Sequence, residues 1–328
     1  MSLETETDSR IGRLVRQLIA SLQERVDQPD NLAGFLFLLP NLLVYVAFLL
    51  GPVLFALYIS FMDWNSLTGQ GEWVGIRNYV EVLTPLPWAQ GWAVLDTPTV
   101  NLWWFAVKNT LTYVIGVVPL VILGGLAAAL ALDKRIRFRN YYRAVYFMPF
   151  MMAGAINAII WRWILSVDGI VNSFLEPMGL AHNWAGDPGT ALFAIMLIAV
   201  WGGTGFNMVL FLAGLQNIPE ELYEASRIDG ANMWQRFRYV TWPNIQNTYF
   251  FAVVYAIIFS FQVFGIALAF AQGGPYHATT TIVVRIYQVA FENGDMGIAA
   301  AMAFLLFSIV FVFSYYQYRL RGQGEVTY

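Results

Sequence analysis

The residues able to act on another molecule gather in one polar stretch of an otherwise apolar chain. It runs Gln216-Asn-Ile-Pro-Glu-Glu-Leu-Tyr-Glu-Ala-Ser-Arg-Ile-Asp-Gly-Ala-Asn-Met-Trp-Gln-Arg-Phe-Arg-Tyr-Val-Thr-Trp-Pro243. Glu220, Glu221, Glu224 and Asp229 supply carboxylates, but no nucleophile with its base accompanies them. Asn217 is a good helix N-cap, and Pro219 suits a first helical turn. Glu220 and Glu221 complement the positive end of a helix dipole. Gly230 ends or bends that helix, and Pro243 breaks a second one. The pattern predicts two short helices at an angle, joined at Asp229-Gly230. A short helix with an exposed, mixed apolar and acidic face fits a groove in another protein. The plainer reading is a surface loop connecting two apolar segments.

Elsewhere the chain is poor in chemistry. It has no cysteine, which excludes disulfides, thiolate metal sites and a cysteine nucleophile. His182 and His277 are too isolated to share a metal. A phosphate-cradling G-x-x-x-x-G-K-[ST] loop is absent. The net charge of −3 gives no basic footprint for nucleic acid. A few polar residues sit within apolar runs. Asn207 follows Gly203 and Phe206, Ser260 and Gln262 follow Phe259, and Asn157 stands alone. They either hydrogen-bond neighbouring helices or line a path for a solute.

These residues must be positioned by membrane helices. Of 328 residues, 58% are hydrophobic and only 12% charged, against about 25% charged in soluble domains. Six runs reach the roughly 20 residues that cross a hydrocarbon core: 33–60, 105–132, 144–166, 190–216, 246–270 and 298–318. They are too long and too uniformly apolar for barrel strands. Fourteen of the 18 basic residues fall in the N-terminal segment, the 133–143 and 217–245 loops and the tail. Both termini are therefore placed on the cytoplasmic side. Residues 1–32 lack a signal-peptide core. Ile11, Leu14, Val15, Leu18, Ile19 and Leu22 line one face of a helix, which reads as a membrane-surface helix or a partner-docking one. Trp103, Trp104, Trp161 and Trp163 read as interfacial belt residues. Lys108 and Arg162, near outer span ends, read as side chains that snorkel to water.

The six runs contain no Asp, Glu or His. A proton-coupled transporter needs such groups along its path, and an intramembrane hydrolase needs a nucleophile or paired carboxylates. The chain thus carries no energy source of its own, and any uphill work comes from a partner.

The loop resembles the EAA loop of ABC importer permeases. Glu224-Ala225-Ser226-Arg227-Ile228-Asp229-Gly230-Ala231, then Phe237, Val240 and Pro243, follows E-A-A-x-x-D-G-A and its aromatic, aliphatic and proline positions. Ser226 replaces the second alanine with another small residue. Ala213–Pro219 and Trp201–Phe206 resemble the carbohydrate-type permeases. So do Gly273-Gly274-Pro275, Thr280, Tyr287-Gln288, Ala290-Phe291 and Gly297–Ala301, although Ala271 stands where a threonine is common. Phe61 and Gly75–Tyr79 resemble the first outer loop of the first permease subunit. The likeness spans residues 33–320.

The resemblance implies an all-α polytopic membrane protein of a prokaryotic plasma membrane. It has six transmembrane helices, both termini inside, and a coupling-helix loop between spans four and five. Residues 1–32 are a cytoplasmic segment, 33–320 the permease domain and 321–328 a tail. The partners implied are a second homologous permease, two ATPase subunits that bind the ATP, an extracytoplasmic solute-binding protein and the bilayer. This subunit would be non-catalytic and carry no cofactor. Glu224 would enter an ATPase groove, with Ala225, Ser226 and Gly230 allowing close approach and Asp229, Ala231, Phe237 and Pro243 completing the motif. Gly203, Phe206, Asn207, Phe259, Ser260 and Gln262 are the candidate path for a sugar-like solute moved by alternating access. The alternatives are a glycerol phosphate, polyol or oligosaccharide permease, and, from other classes, a membrane-embedded enzyme or a passive channel.

Overall fold

A computed structural model describes residues 29–65, 69–84, 102–134 and 136–321. The chain divides into two compact units, Met1–Tyr58 and Ile59–Tyr328. The N-terminal helix expected over residues 11–22, most of the 1–32 segment and residues 322–328 of the tail lie outside the described residues.

In the first unit, α1 (Pro29–Tyr45) passes through a π turn (Val46–Leu50) into α2 (Gly51–Ile59). Helix α1 thus begins inside the segment expected to end at residue 32. The π turn has a local cause. Pro52 has no amide proton, and its ring crowds the carbonyl four residues back. The wider turn meets this by bonding Gly51 N–H to the Val46 carbonyl.

The second unit opens with a hairpin, β1 (Met62–Asn65) and β2 (Gln70–Trp73), antiparallel with Met62 opposite Trp73. Helix α3 (Arg77–Leu83) follows. Asn78 Nδ2 donates to the Ser60 and Met62 carbonyls at 2.9 and 2.8 Å. Phe61 stacks on Trp73 with ring centroids 5.7 Å apart.

The long elements are α4 (Leu102–Asp133), α5 (Arg139–Met151), α6 (Gly154–Ile164), the short α7 (Ile170–Leu175) and α8 (Pro188–Gln216). The Asp187 side chain caps α8 by accepting from Gly189 N–H. After α8 come α9 (Glu220–Ile228), α10 (Met233–Arg236), a π turn (Phe237–Thr241) and α11 (Trp242–Phe261). Helices α12 (Gly265–Ala271) and α13 (Ile282–Tyr287), a third π turn (Gln288–Glu292) and α14 (Met296–Arg321) complete the chain. The core lies between α4 and α8, where Ala106, Ala129, Ile195, Ile198, Met208 and Phe211 are fully buried. Large apolar side chains such as Ile115, Leu123 and Phe193 point outward, as expected where lipid replaces water.

Among the described residues five helices are long and apolar enough to cross a membrane, and α5 with α6 makes a sixth crossing only as a pair bent by 99°. The third run, expected as a span over 144–166, is this bent pair. Pro149 disrupts the last turn of α5, and Met152 and Ala153 are extended. The fifth run, expected over 246–270, instead forms one helix from Met233 to Phe261, followed by a break and α12. Pro243 does not break it. The π turn immediately before absorbs the proline, as at Pro52. Asn217 ends α8 rather than capping α9, and Pro219 takes the N-cap position. Trp103 is not a belt residue. It is 3% exposed, packed in the core that also holds Val82. Trp104 Nε1 donates to the Leu83 carbonyl at 3.1 Å.

Candidate functional site

The loop after α8 folds through its own capping chemistry. Glu220 and Glu221 occupy the first turn of α9, where carboxylates meet the positive dipole end. The helix stops in a Schellman arrangement. Gly230 adopts φ +75° and donates to the Arg227 carbonyl, while Ala231 N–H reaches the Ser226 carbonyl at 2.9 Å. A side chain at Gly230 would be strained in this left-handed backbone. Asp229 is the C-cap, its N–H bonded to the Ala225 carbonyl. Ser226 Oγ donates to the Tyr223 carbonyl at 2.8 Å, so its hydroxyl is satisfied locally. Glu224 and Ala225 are exposed on α9.

A turn later, Asn232 and Gln235 form a reciprocal capping box at 2.9 and 2.8 Å. The N-x-x-Q spacing was legible in the sequence but passed over there. Phe237 stacks on Trp234 at 5.7 Å and meets Trp242 at 6.3 Å. Pro243 is exposed just beyond. Leu222 and Ile228 of α9 and Met233 and Trp234 of α10 are exposed as well. Apolar and acidic side chains are thereby presented on short, well-capped helices.

Among the longer helices lies an open-sided cleft of about 360 Å³. Its walls come from α4, the end of α5, the start of α6, α8, α11 and the start of α12. Gly203, Phe206, Asn207, Phe259 and Ser260 border it. Gln262 does not. It is exposed as the C-cap of α11.

One wall is an aromatic ladder. Phe150 and Phe206 lie 4.9 Å apart by ring centroid, Phe206 and Tyr255 4.4 Å, and Tyr255 and Phe259 4.2 Å. Phe150 and Tyr255 were not singled out in the sequence, although Phe251, Tyr255 and Phe259 recur every fourth residue. Two carboxamides face this ladder's cleft. Asn207 Nδ2 donates to the Gly203 carbonyl at 3.0 Å and Asn157 Nδ2 to the Pro149 carbonyl at 2.9 Å. Each amide oxygen is enclosed with no hydrogen-bond partner. The residues bordering the cleft include no Asp, Glu, Lys, Arg or His. Such walls suit a neutral solute with flat apolar faces and hydroxyl groups.

The isolated ionisable residues take ordinary roles. Lys108 Nζ sits 6.0 Å from the Phe105 ring centroid, and Arg162 is exposed. His182 Nε2 lies 2.9 Å from both Asp187 Oδ2 and Thr190 Oγ1 at the start of α8. No group of three His, Asp or Glu residues among the described ones could hold a metal ion.

Comparison with known proteins agrees with this layout. Residues 120–321 match the family model described as binding-protein-dependent transport system inner membrane component. The trehalose/maltose transport system permease protein MalF of Thermococcus litoralis is 33% identical over 90% of this chain and 95% of its own. The arabinooligosaccharides transport system permease protein AraP of Bacillus subtilis is 31% identical over 89% of this chain and 90% of its own. A crystal structure of a bacterial ABC transporter that imports the acidic polysaccharide alginate shares the fold. It has a TM-score of 0.78 at 20% identity, covering 93% of this chain and 99% of that one. The chain belongs to the family of inner membrane components of binding-protein-dependent transport systems.

Proposed function

We propose that this chain is a permease subunit of an ATP-driven importer, carrying a neutral sugar or oligosaccharide by alternating access. Its cleft offers an aromatic ladder and carboxamides without a charged group, and the curated relatives above are named for trehalose, maltose and arabinooligosaccharides. The uncharged walls favour this over a phosphorylated solute. Phe206, Asn207, Phe259, Ser260 and Gly203 touch the solute, joined by Tyr255, Phe150 and Asn157.

The observation that carries the reading is the placement of Glu224. It stands exposed on a capped acidic helix one turn from span five. The other end of that span borders the cleft. Two cytoplasmic ATPase subunits bind and hydrolyse the ATP, one of them receiving Glu224, Ala225 and Ser226. This subunit needs no cofactor. A second permease closes the open side of the cleft, and an extracytoplasmic binding protein delivers solute. Both termini lie in the cytoplasm, supported by the basic residues of the 133–143 and 217–245 loops. Residues 33–320 are the permease proper, flanked by the cytoplasmic segment 1–32 and the tail 321–328. ATP-driven closure of the ATPases then switches the permease pair between two packings.

Glu224→Arg tests this. Uptake into vesicles and co-purification of the ATPase subunit should both fall. Wild-type values for both would overturn the coupling assignment.

A further inference from the structure

Among the described residues, one side-chain hydrogen bond ties helix α9 to the membrane part of the chain. The backbone hydrogen bonds of α9, and the side-chain bond of Ser226, stay within the helix and its flanking turns. The exception among the described residues is the Tyr223 hydroxyl, 3.0 Å from Thr241 Oγ1. The π turn 237–241 that holds Thr241 is also the element against which α9 chiefly packs.

The Thr241 hydroxyl departs from the usual behaviour of a helical threonine. A helical threonine ordinarily bonds the carbonyl four residues back. Thr112 does so to Lys108 at 2.8 Å, and Thr204 to Val200 at 2.6 Å. For Thr241 that carbonyl belongs to Phe237, which in the π turn pairs with Trp242 N–H. The Thr241 hydroxyl, 5% exposed, turns to Tyr223. Asn244 Nδ2 takes the Val240 carbonyl at 2.7 Å, so the backbone around Pro243 is held by side chains. A wide turn is also where a helix bends most readily. Beyond it α11 runs unbroken to Phe261. At 1.5 Å per residue, Tyr255 of the ladder lies about 21 Å further along.

We propose that the Tyr223–Thr241 hydrogen bond is the strut that delivers movement of α9 to span five, making both positioning residues for coupling. It fixes α9 to the span at its π turn. Without it the π turn bends and dissipates the displacement before it reaches the cleft. This rests on the reading that ATPase subunits dock on α9, and it adds that docking and transmission are separable.

The test uses the complete transporter, purified with its co-purifying subunits, and needs no identified solute. The chain has no cysteine, so Ala256→Cys, beside the ladder in the cleft, gives a single labelling site on this subunit, read on its own band after the subunits are separated. Its reaction with a membrane-impermeant maleimide is compared with and without ATP plus vanadate. In the otherwise wild-type protein, trapping should change the labelling rate about tenfold. With Y223F or T241V that change should shrink to under twofold, while co-purification and basal ATP hydrolysis stay within about twofold. T241S should restore it, and the Y223F/T241V pair should be no worse than either single change. Retention of the full labelling change in both variants would overturn the strut. So would loss of assembly equal to that of Glu224→Arg, which would make the bond part of the docking surface. A Glu224→Arg variant that still assembles and hydrolyses ATP would instead overturn the docking reading itself.

Discussion

Asn157 Nδ2 donates to the Pro149 carbonyl at 2.9 Å across the break in the third span. In a continuous helix that carbonyl would accept from the N–H of residue 153. Here Met152 and Ala153 are extended, and α6 starts afresh at Gly154. The carboxamide thus takes over a backbone partner and holds the 99° bend. Asn157 is 4% exposed. Asn157→Leu should leave the carbonyl bare and lower stability by about 1–3 kcal/mol. Chemical denaturation in detergent, following tryptophan fluorescence, checks this. Wild-type stability would mean that the break holds without the bond.

The ladder makes a prediction about affinity. Tyr255 sits between Phe206 and Phe259, at 4.4 and 4.2 Å, and presents its ring to the cleft. Tyr255→Ala should raise the KM for the transported sugar roughly 2- to 10-fold, matching an aromatic contact of about 0.5–1.5 kcal/mol. Tyr255→Phe keeps the ring and should stay near wild type. Phe251→Ala removes a ring 6.3 Å away that does not border the cleft, and should change KM less than Tyr255→Ala. Equal effects of Phe251→Ala and Tyr255→Ala would show general loosening of α11 instead of solute contact.

How much of this was readable beforehand depends on how local its cause is. The C-terminal end of α9 was readable because Gly230 acts within one turn, whereas Asn217, read as its N-cap, ends α8 instead. The helix apolar runs were readable because lipid demands them. The bend after Pro149 was not, since hydropathy counts residues and carries no direction. Pro243 misled for a related reason. A proline rule looks four residues back, whereas the π turn solves the clash with one extra residue. Gln262 was placed in the path as a polar residue within an apolar run, by resemblance to sugar permeases. Two residues along a helix turn a side chain by about 200°, which sends Ser260 inward and Gln262 out. Phe150 was unreadable because only the fold brings α5 beside Phe206.

Gly230 yields a prediction confined to backbone strain. Its φ is +75°, and no atom lies within 4 Å of where a Cβ would stand. Substitution therefore meets no steric block, only the left-handed backbone penalty of about 1–2 kcal/mol. Asparagine tolerates that region best and β-branched residues worst. Co-purification of the ATPase subunit should fall in the order Gly230→Asn, Gly230→Ala, Gly230→Val, with Val losing the most. An equal loss for all three would point to direct contact between the ATPase and Gly230.

Gly205 separates two kinds of crowding. A Cβ there would stand 2.1 Å from the Tyr146 carbonyl oxygen and 2.9 Å from Phe147 Cα, where α5 crosses α8. Both neighbours are backbone, so relief requires the two helices to part. At Gly116 the nearest atom is Met196 Sδ at 2.8 Å, the end of a flexible side chain that can swing aside. Gly205→Ala should therefore destabilise by roughly 1–3 kcal/mol or more, and Gly116→Ala by clearly less. Folded yield after detergent extraction and the midpoint of thermal aggregation measure the difference. Gly205 also lies between Gly203 and Phe206, both at the cleft. Parting α5 from α8 would then pull Phe150 away from Phe206, so sugar KM should rise in Gly205→Ala even where the protein folds. An unchanged KM in folded Gly205→Ala would mean that the ladder is held by α11 alone.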